Sequence, residues 1–203
     1  MSAPRKKYSW LLVLLLLVAA SWGVYEIRYY FGKWWDYRVR PWAYSSDANA
    51  KLLVGKWQGK FIDPDRVSKQ LAIQIFEPTS DEERRKAASK RNRRGGGLRH
   101  RNKTGFDGIA RVQSRLGTEE YEIYGSVGKD DFHQVKFNFR PVDESKRVLP
   151  NFTLSQGMEG TWRDDQLKVT LTFSYQRKDG SSFSSTADAR YSKTVITTLN
   201  RTP

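Results

Sequence analysis

The stretch Leu167-Lys-Val-Thr-Leu-Thr-Phe-Ser-Tyr175 decides the fold. Leu167, Val169, Leu171, Phe173 and Tyr175 fall on one side of an extended chain, and Lys168, Thr170, Thr172 and Ser174 on the other. Successive side chains of a strand point to opposite faces, so this period of two buries one face and wets the other. The pattern recurs in both directions along the chain. Leu53, Gly55, Trp57, Gly59 and Phe61 alternate with Val54, Lys56, Gln58 and Lys60, and Leu71, Ile73 and Ile75 continue it before Pro78. Phe106, Gly108, Ala110 and Val112 share a face, Tyr121, Ile123 and Gly125 follow, and Val135, Phe137 and Phe139 enclose Lys136 and Asn138, with Arg140 beyond. A last segment runs from Phe183 to Leu199 and breaks near Ser192. Val127-Gly-Lys-Asp130 and Lys178-Asp-Gly-Ser181 read as hairpin turns. No comparable helix-period segment follows Asn49.

The expectation is an all-β domain over residues 51–203, an antiparallel meander of about seven or eight strands. Closure into a barrel is the natural way to remove its two open sides. Gly55-Lys-Trp57 recurs as Gly160-Thr-Trp162, with a weaker echo at Gly125-Ser-Val127. A glycine permits a tight bend at a barrel corner, and a tryptophan two residues later falls on the same face and can plug the barrel end. Gly55, Trp57, Gly160 and Trp162 are therefore the expected barrel-motif residues.

Gly55-Lys56-Trp57 resembles the opening of lipocalin-like (calycin) barrels. That resemblance implies an antiparallel up-and-down barrel, often with an apolar ligand inside, and a later basic closing residue that the sequence does not place. Gly55-Lys-Trp-Gln-Gly59 behind an apolar N-terminus is also similar to the membrane-anchored β-barrel effectors of bacterial cyclic-nucleotide defence systems. Those carry two transmembrane helices, and this chain has one apolar run.

That run is Trp10 to Ala20, preceded by Arg5-Lys6-Lys7. From Ser9 to Ile27 only Glu26 is charged, leaving about 17 apolar residues, the short end of what crosses a core of roughly 30 Å at 1.5 Å per residue. Two readings stand: an uncleaved signal anchor over residues 10–27 behind a basic head at residues 1–9, or a cleaved signal with Ala19-Ala20-Ser21 at its site. Residues 28–50 favour the anchor. Aromatic rings such as Tyr29, Trp34, Trp35 and Trp42, interspersed with Arg28, Lys33, Arg38 and Arg40, suit a lipid–water boundary. Flanking basic charge is nearly balanced, and the short basic head favours a β domain on the non-cytoplasmic side.

The chain has 203 residues and a net charge of +14. An insertion at residues 80–104 carries ten basic residues, Arg84, Arg85, Lys86, Lys90, Arg91, Arg93, Arg94, Arg99, Arg101 and Lys103, against three acids, a net of +7. With Gly95-Gly96-Gly97 and almost no apolar residue, it is expected to be disordered. Its expected partner is an anionic surface, either lipid headgroups or an envelope polymer. Nucleic acid is disfavoured, because no aromatic residue lies between Phe76 and Phe106 to stack on bases.

Catalytic chemistry is sparse. The chain contains no cysteine and two histidines, His100 and His133. His133, beside Asp130 and Asp131, is the one Asp–His pairing that suggests a general base. No Gly-x-Ser-x-Gly elbow, phosphate loop or metal-ligand spacing occurs. Glu119, Glu120 and Glu122 are assigned to an outward strand face. No enzyme activity, metal or cofactor is expected. The expected function is a membrane-anchored, non-enzymatic binding or scaffolding barrel of the cell envelope, with a small apolar ligand as one candidate partner. The alternative is a membrane-anchored ligand- or nucleotide-sensing barrel effector.

Overall fold

Eight strands close on themselves. A computed structural model describes residues 9–78, 103–154, 158–183 and 193–202. The chain divides into two units, Met1–Val39 with Ser80–Gly95, and Arg40–Thr79 with Gly96–Pro203. The second unit holds the strands. They are β1 (Gly55–Ile62), β2 (Ser68–Ile75), β3 (Gly105–Ser114), β4 (Gly117–Val127), β5 (Gln134–Pro141), β6 (Asn151–Leu154), β7 (Met158–Arg163), β8 (Gln166–Leu171), β9 (Phe173–Gln176), β10 (Ser182–Phe183) and β11 (Val195–Thr202). The barrel runs β1-β2-β3-β4-β5-β7-β8-β11, and β11 returns to β1. All its pairings are antiparallel. A separate three-stranded sheet has the order β10-β9-β6.

The stretch Leu167–Tyr175 is not one strand. It divides at Thr172 into β8, a barrel stave between β7 and β11, and β9, which pairs with β6 and β10. The alternation survives the division, since Leu171 and Phe173 are both buried. The chain leaves the barrel without turning its apolar face outward. The last expected segment also divides: β10 ends at Phe183, β11 starts at Val195, and residues 184–192 lie outside the described residues.

Inward residues fill the barrel. Trp57, Leu71, Phe137, Leu167, Val169 and Leu199 are completely buried. Rings pack side by side on the inner wall, Phe106 with Phe137 at 5.5 Å and Tyr121 with Phe139 at 5.9 Å, both edge to face. Burying each large apolar side chain contributes about 1.5–3 kcal/mol. Gly125 faces Phe106 across the β3–β4 ladder. A Cβ there would lie 2.4 Å from both the Phe106 ring and the Lys136 carbonyl, so the close approach needs glycine.

In the first unit, the described residues form α1 (Ser9–Val39). Among the described residues no helix is long and apolar enough to cross a membrane. This corrects the expected anchor over residues 10–27. The uninterrupted apolar part of α1 is Trp10 to Ala20, eleven residues, which at 1.5 Å per residue spans about 16 Å of a core of roughly 30 Å. Beyond it the same helix carries Ser21, Glu26 and Asp36. The single-pass topology, the membrane partner, the envelope location and the non-cytoplasmic placement of the β domain all depended on that anchor and are corrected with it. The same holds for the resemblance to lipocalin-like barrels behind an anchor. What the chain has is an eight-stranded closed antiparallel barrel.

Candidate functional site

Cross-strand register builds the outer wall. Gln58, Ala72, Arg111 and Glu120 follow one another from β1 to β4. Val142 continues this row, its N–H donating to the Glu120 carbonyl at 3.0 Å. The neighbouring row reads Lys56, Gln74, Ile109 and Glu122. Ala72 is thus a short side chain among long ones, and the wall dips there. The depression holds about 590 Å³; Ala72, Ile109 and Val142 line it with Lys56, Gln58, Gln74, Arg111 and Glu120. Ile109 and Val142 are 47% and 54% exposed, so apolar carbon faces water. Arg111 donates to Glu120 Oε1 from Nη2 at 2.6 Å and from Nε at 3.1 Å, which fixes one rim. A second cavity of about 310 Å³ shares Glu120, Tyr121 and Val142 with the first and reaches Asp143 and Arg147.

The barrel end where β2 and β4 begin is polar inside. Lys69 and Asp63 are each 1% exposed, and Lys69 Nζ lies 3.1 Å from Asp63 Oδ2. This is an ion contact without hydrogen-bond alignment, because Asp63 Oδ2 has no hydrogen-bond partner. Asp63 Oδ1 accepts the Val67 N–H at 2.8 Å. Lys69 Nζ also donates to Asn151 Oδ1 at 2.7 Å and to the Phe152 carbonyl. Asn151 Nδ2 donates to Glu119 Oε2 at 3.4 Å. The same oxygen accepts the Tyr121 hydroxyl at 2.8 Å, and Glu119 Oε1 accepts the Val148 N–H at 3.2 Å. Burial, and then the adjacent Glu119 carboxylate, push the Tyr121 hydroxyl well above the usual phenol range, so it remains a neutral donor.

The opposite end is aromatic. Arg201 lies over the Trp57 ring, its guanidinium carbon 4.5 Å from the ring centre. Its Nη1 donates to the Val54 carbonyl at 2.9 Å and its Nη2 to the Leu52 carbonyl. Trp57 Nε1 donates to the Leu53 carbonyl at 2.8 Å. Arg201 Nε lies 3.2 Å from Asp165 Oδ1, and Lys51 binds Oδ2. The Lys51 hydrogen bond, then the charges of Lys51 and Arg201, hold Asp165 below the usual carboxylate range. Gly55 has φ +131°, and a Cβ there would lie 2.8 Å from Arg201 Nη1, so both backbone and space call for glycine.

Gly160 and Trp162 both lie on β7. Trp162 Nε1 donates to the Phe132 carbonyl at 2.9 Å, and the His133 ring packs 4.9 Å from the Trp162 ring. His133 Nδ1 is 3.0 Å from the Trp162 carbonyl, while Asp131 Oδ1 accepts the His133 backbone N–H at 2.9 Å. The Asp131 carboxylate thus caps a turn instead of orienting the imidazole. Among the described residues no group of three or more His, Cys, Asp or Glu side chains can hold a metal ion.

Of the basic insertion, Lys103 is described and exposed. Arg84, Arg85, Lys86, Lys90, Arg91, Arg93, Arg94, Arg99 and Arg101 lie outside the described residues. Glu119 is a correction: it is buried, unlike its exposed neighbour Glu120. The signal was parity. Glu119 shares it with Tyr121 and Ile123, as Lys69 does with Leu71 and Ile73, and Arg201 with Leu199.

No protein-family model matches the chain. No curated protein matches it. Among solved structures it is similar to one described as EF1p2_mFAP2b bound to DFHBI, with 17% identity, 74% of this chain and 94% of that chain covered, and a TM-score of 0.42. It is also similar to a de novo designed fluorescence-activating β-barrel, with 15% identity, 78% and 100% covered, and a TM-score of 0.38. Similarity this distant says nothing of what this chain binds.

Proposed function

We propose that this chain is a non-enzymatic binding protein, and that its barrel is a rigid frame for a small amphipathic ligand held on the outer wall. The observation that carries this reading is the depression at Ala72. At about 590 Å³ it falls in the size range of small-molecule sites, and its apolar floor has polar groups at the rim. Large side chains fill the interior, so the wall offers room that the lumen does not. The ligand would set its apolar body on Ala72, Ile109 and Val142. Lys56, exposed at the rim, favours an anionic end, in keeping with the chain's net charge of +14. Binding without catalysis is supported by the engagement of His133 with the Trp162 carbonyl and by the role of Asp131 as a turn cap.

The test is amide NMR of the full chain titrated with a set of aromatic carboxylates. Shifts are expected at Ala72, Ile109 and Arg111, and Ala72→Trp, which fills the dip from a solvent-facing position, is expected to remove them. Shifts confined to other faces, or persisting unchanged in Ala72→Trp, overturn the reading.

A further inference from the structure

Strand β6 takes part in no ladder of the barrel. In the barrel, β5 passes directly to β7, with Gln134 opposite Thr161 and Phe137 opposite Met158. β6 pairs only with β9, and β9 also holds β10. All four residues of β6 are nevertheless buried. The polar groups it touches at the barrel mouth belong to staves: Lys69 of β2 and Glu119 of β4. Together they read the Asn151 carboxamide from both sides, the ammonium on its oxygen at 2.7 Å and the carboxylate on its nitrogen at 3.4 Å. Lys69 takes the Phe152 carbonyl as well. The Phe152 ring packs against Phe173 at 6.4 Å and Tyr175 at 5.0 Å.

We propose that this end of the barrel is a peptide receptor, and that β6 is an internal occupant which an incoming extended peptide with an Asn–aromatic pair replaces. This site is distinct from the outer-wall depression. Departure of β6 would expose Lys69, Asp63 and Glu119 to water, which hydrates charges readily, but would also uncover the apolar core that Phe152 and Leu154 join, so an incoming strand must supply both kinds of contact. Departure would also free one side of β9. An extended peptide can pair there by its main chain while its Asn and aromatic side chains take the places of Asn151 and Phe152. Charged groups in a buried mouth are costly compared with apolar packing. A mouth that must exchange one asparagine-bearing strand for another has a use for them.

The experiment uses the full chain and a fluorescently labelled, blocked Asn-Phe-Thr-Leu peptide, with binding followed by anisotropy. Phe152→Ala weakens the internal strand and is expected to raise peptide affinity at least tenfold. Adding Lys69→Met to that variant is expected to abolish binding, as is replacing the peptide's Asn by Leu. Asn151→Ala serves as a milder second variant should Phe152→Ala unfold. In the unaltered chain, β6 and β9 amides are expected to exchange with solvent at least tenfold faster than β8 amides. The proposal is overturned by a folded Phe152→Ala or Asn151→Ala chain that binds the peptide no better than the unaltered one. Binding that is indifferent to Lys69→Met, or β6 and β9 amides as protected as those of β8, also overturns it.

Discussion

The two ends of the barrel meet the same demand with opposite chemistry. At one, the Trp57 ring is completely buried, and Arg201 covers it while binding the carbonyls of Leu52 and Val54. At the other, Lys69, Asp63, Glu119 and Tyr121 line the mouth and Asn151 fills it. An aromatic plug draws its stability from apolar area kept from water, and nothing small replaces it. A polar network draws its stability from matched partners, and another matched partner serves as well. The difference teaches that the first end is built to stay shut and the second to be exchanged.

The largest expected effect tests the shut end. Trp57→Ala should cost about 3–5 kcal/mol in urea unfolding, because it leaves a cavity and strips Arg201 of its ring. A cost below about 1 kcal/mol would erase the contrast. Lys69→Met comes next, at about 3 kcal/mol, since it strands Asp63 in a buried site. The sharper form adds Asp63→Leu, after which stability should recover to within about 1 kcal/mol, as apolar residues commonly replace a buried pair without net loss. No second substitution should rescue Trp57→Ala in the same way.

Alkaline pH comes third. The folded Tyr121 hydroxyl is raised above its unfolded value of about 10, so above that pH the unfolded chain releases a proton that the folded chain keeps. Stability should be intact below pH of about 10 and fall by about 1.4 kcal/mol per pH unit above it; Tyr121→Phe should flatten that slope. The smallest effect lies at acid pH. Asp165 is held below its ordinary value, so its contribution is present above pH of about 4 and is lost as pH falls through the lowered folded value. Asp165→Asn should show a slightly shallower loss of Tm between pH of about 5 and 2.

Strand periodicity carried most of the barrel. Trp57, Leu71, Ile123, Phe137 and Val169 were legible as inward residues because alternation is local and each strand declares its own face. The division of Leu167–Tyr175 was not legible, since both halves keep the same alternation and only their distant partners differ. The candidate site was hidden for a related reason. Lys69 and Glu119 have inward parity, but a charged residue at a strand end reads as solvated until a partner from another segment, here Asn151, closes over it. The depression at Ala72 arises from register between β1, β2 and β3, which no single strand reveals. At the N-terminus the local signal misled. The apolar run and the aromatic residues after it read as an anchor, yet among the described residues no helix is long and apolar enough to cross a membrane.

The β1–β11 ladder has a kinetic consequence. It consists of three residue pairs, Lys56 with Thr202, Trp57 with Arg201 and Gln58 with Asn200. Partners so far apart in the chain meet only after most of its conformational freedom has been surrendered, and closing a loop of that length repays little until the last contact forms. Of the other seven ladders, five join strands consecutive in sequence and zip early, while β5–β7 passes over β6 and β8–β11 passes over β9 and β10. Folding should therefore pass over a late, high barrier at which a curled but open sheet waits for its seam, on the millisecond-to-second scale of non-local β topologies. Arg201, which clamps Trp57 across that seam, would then slow unfolding far more than it speeds folding.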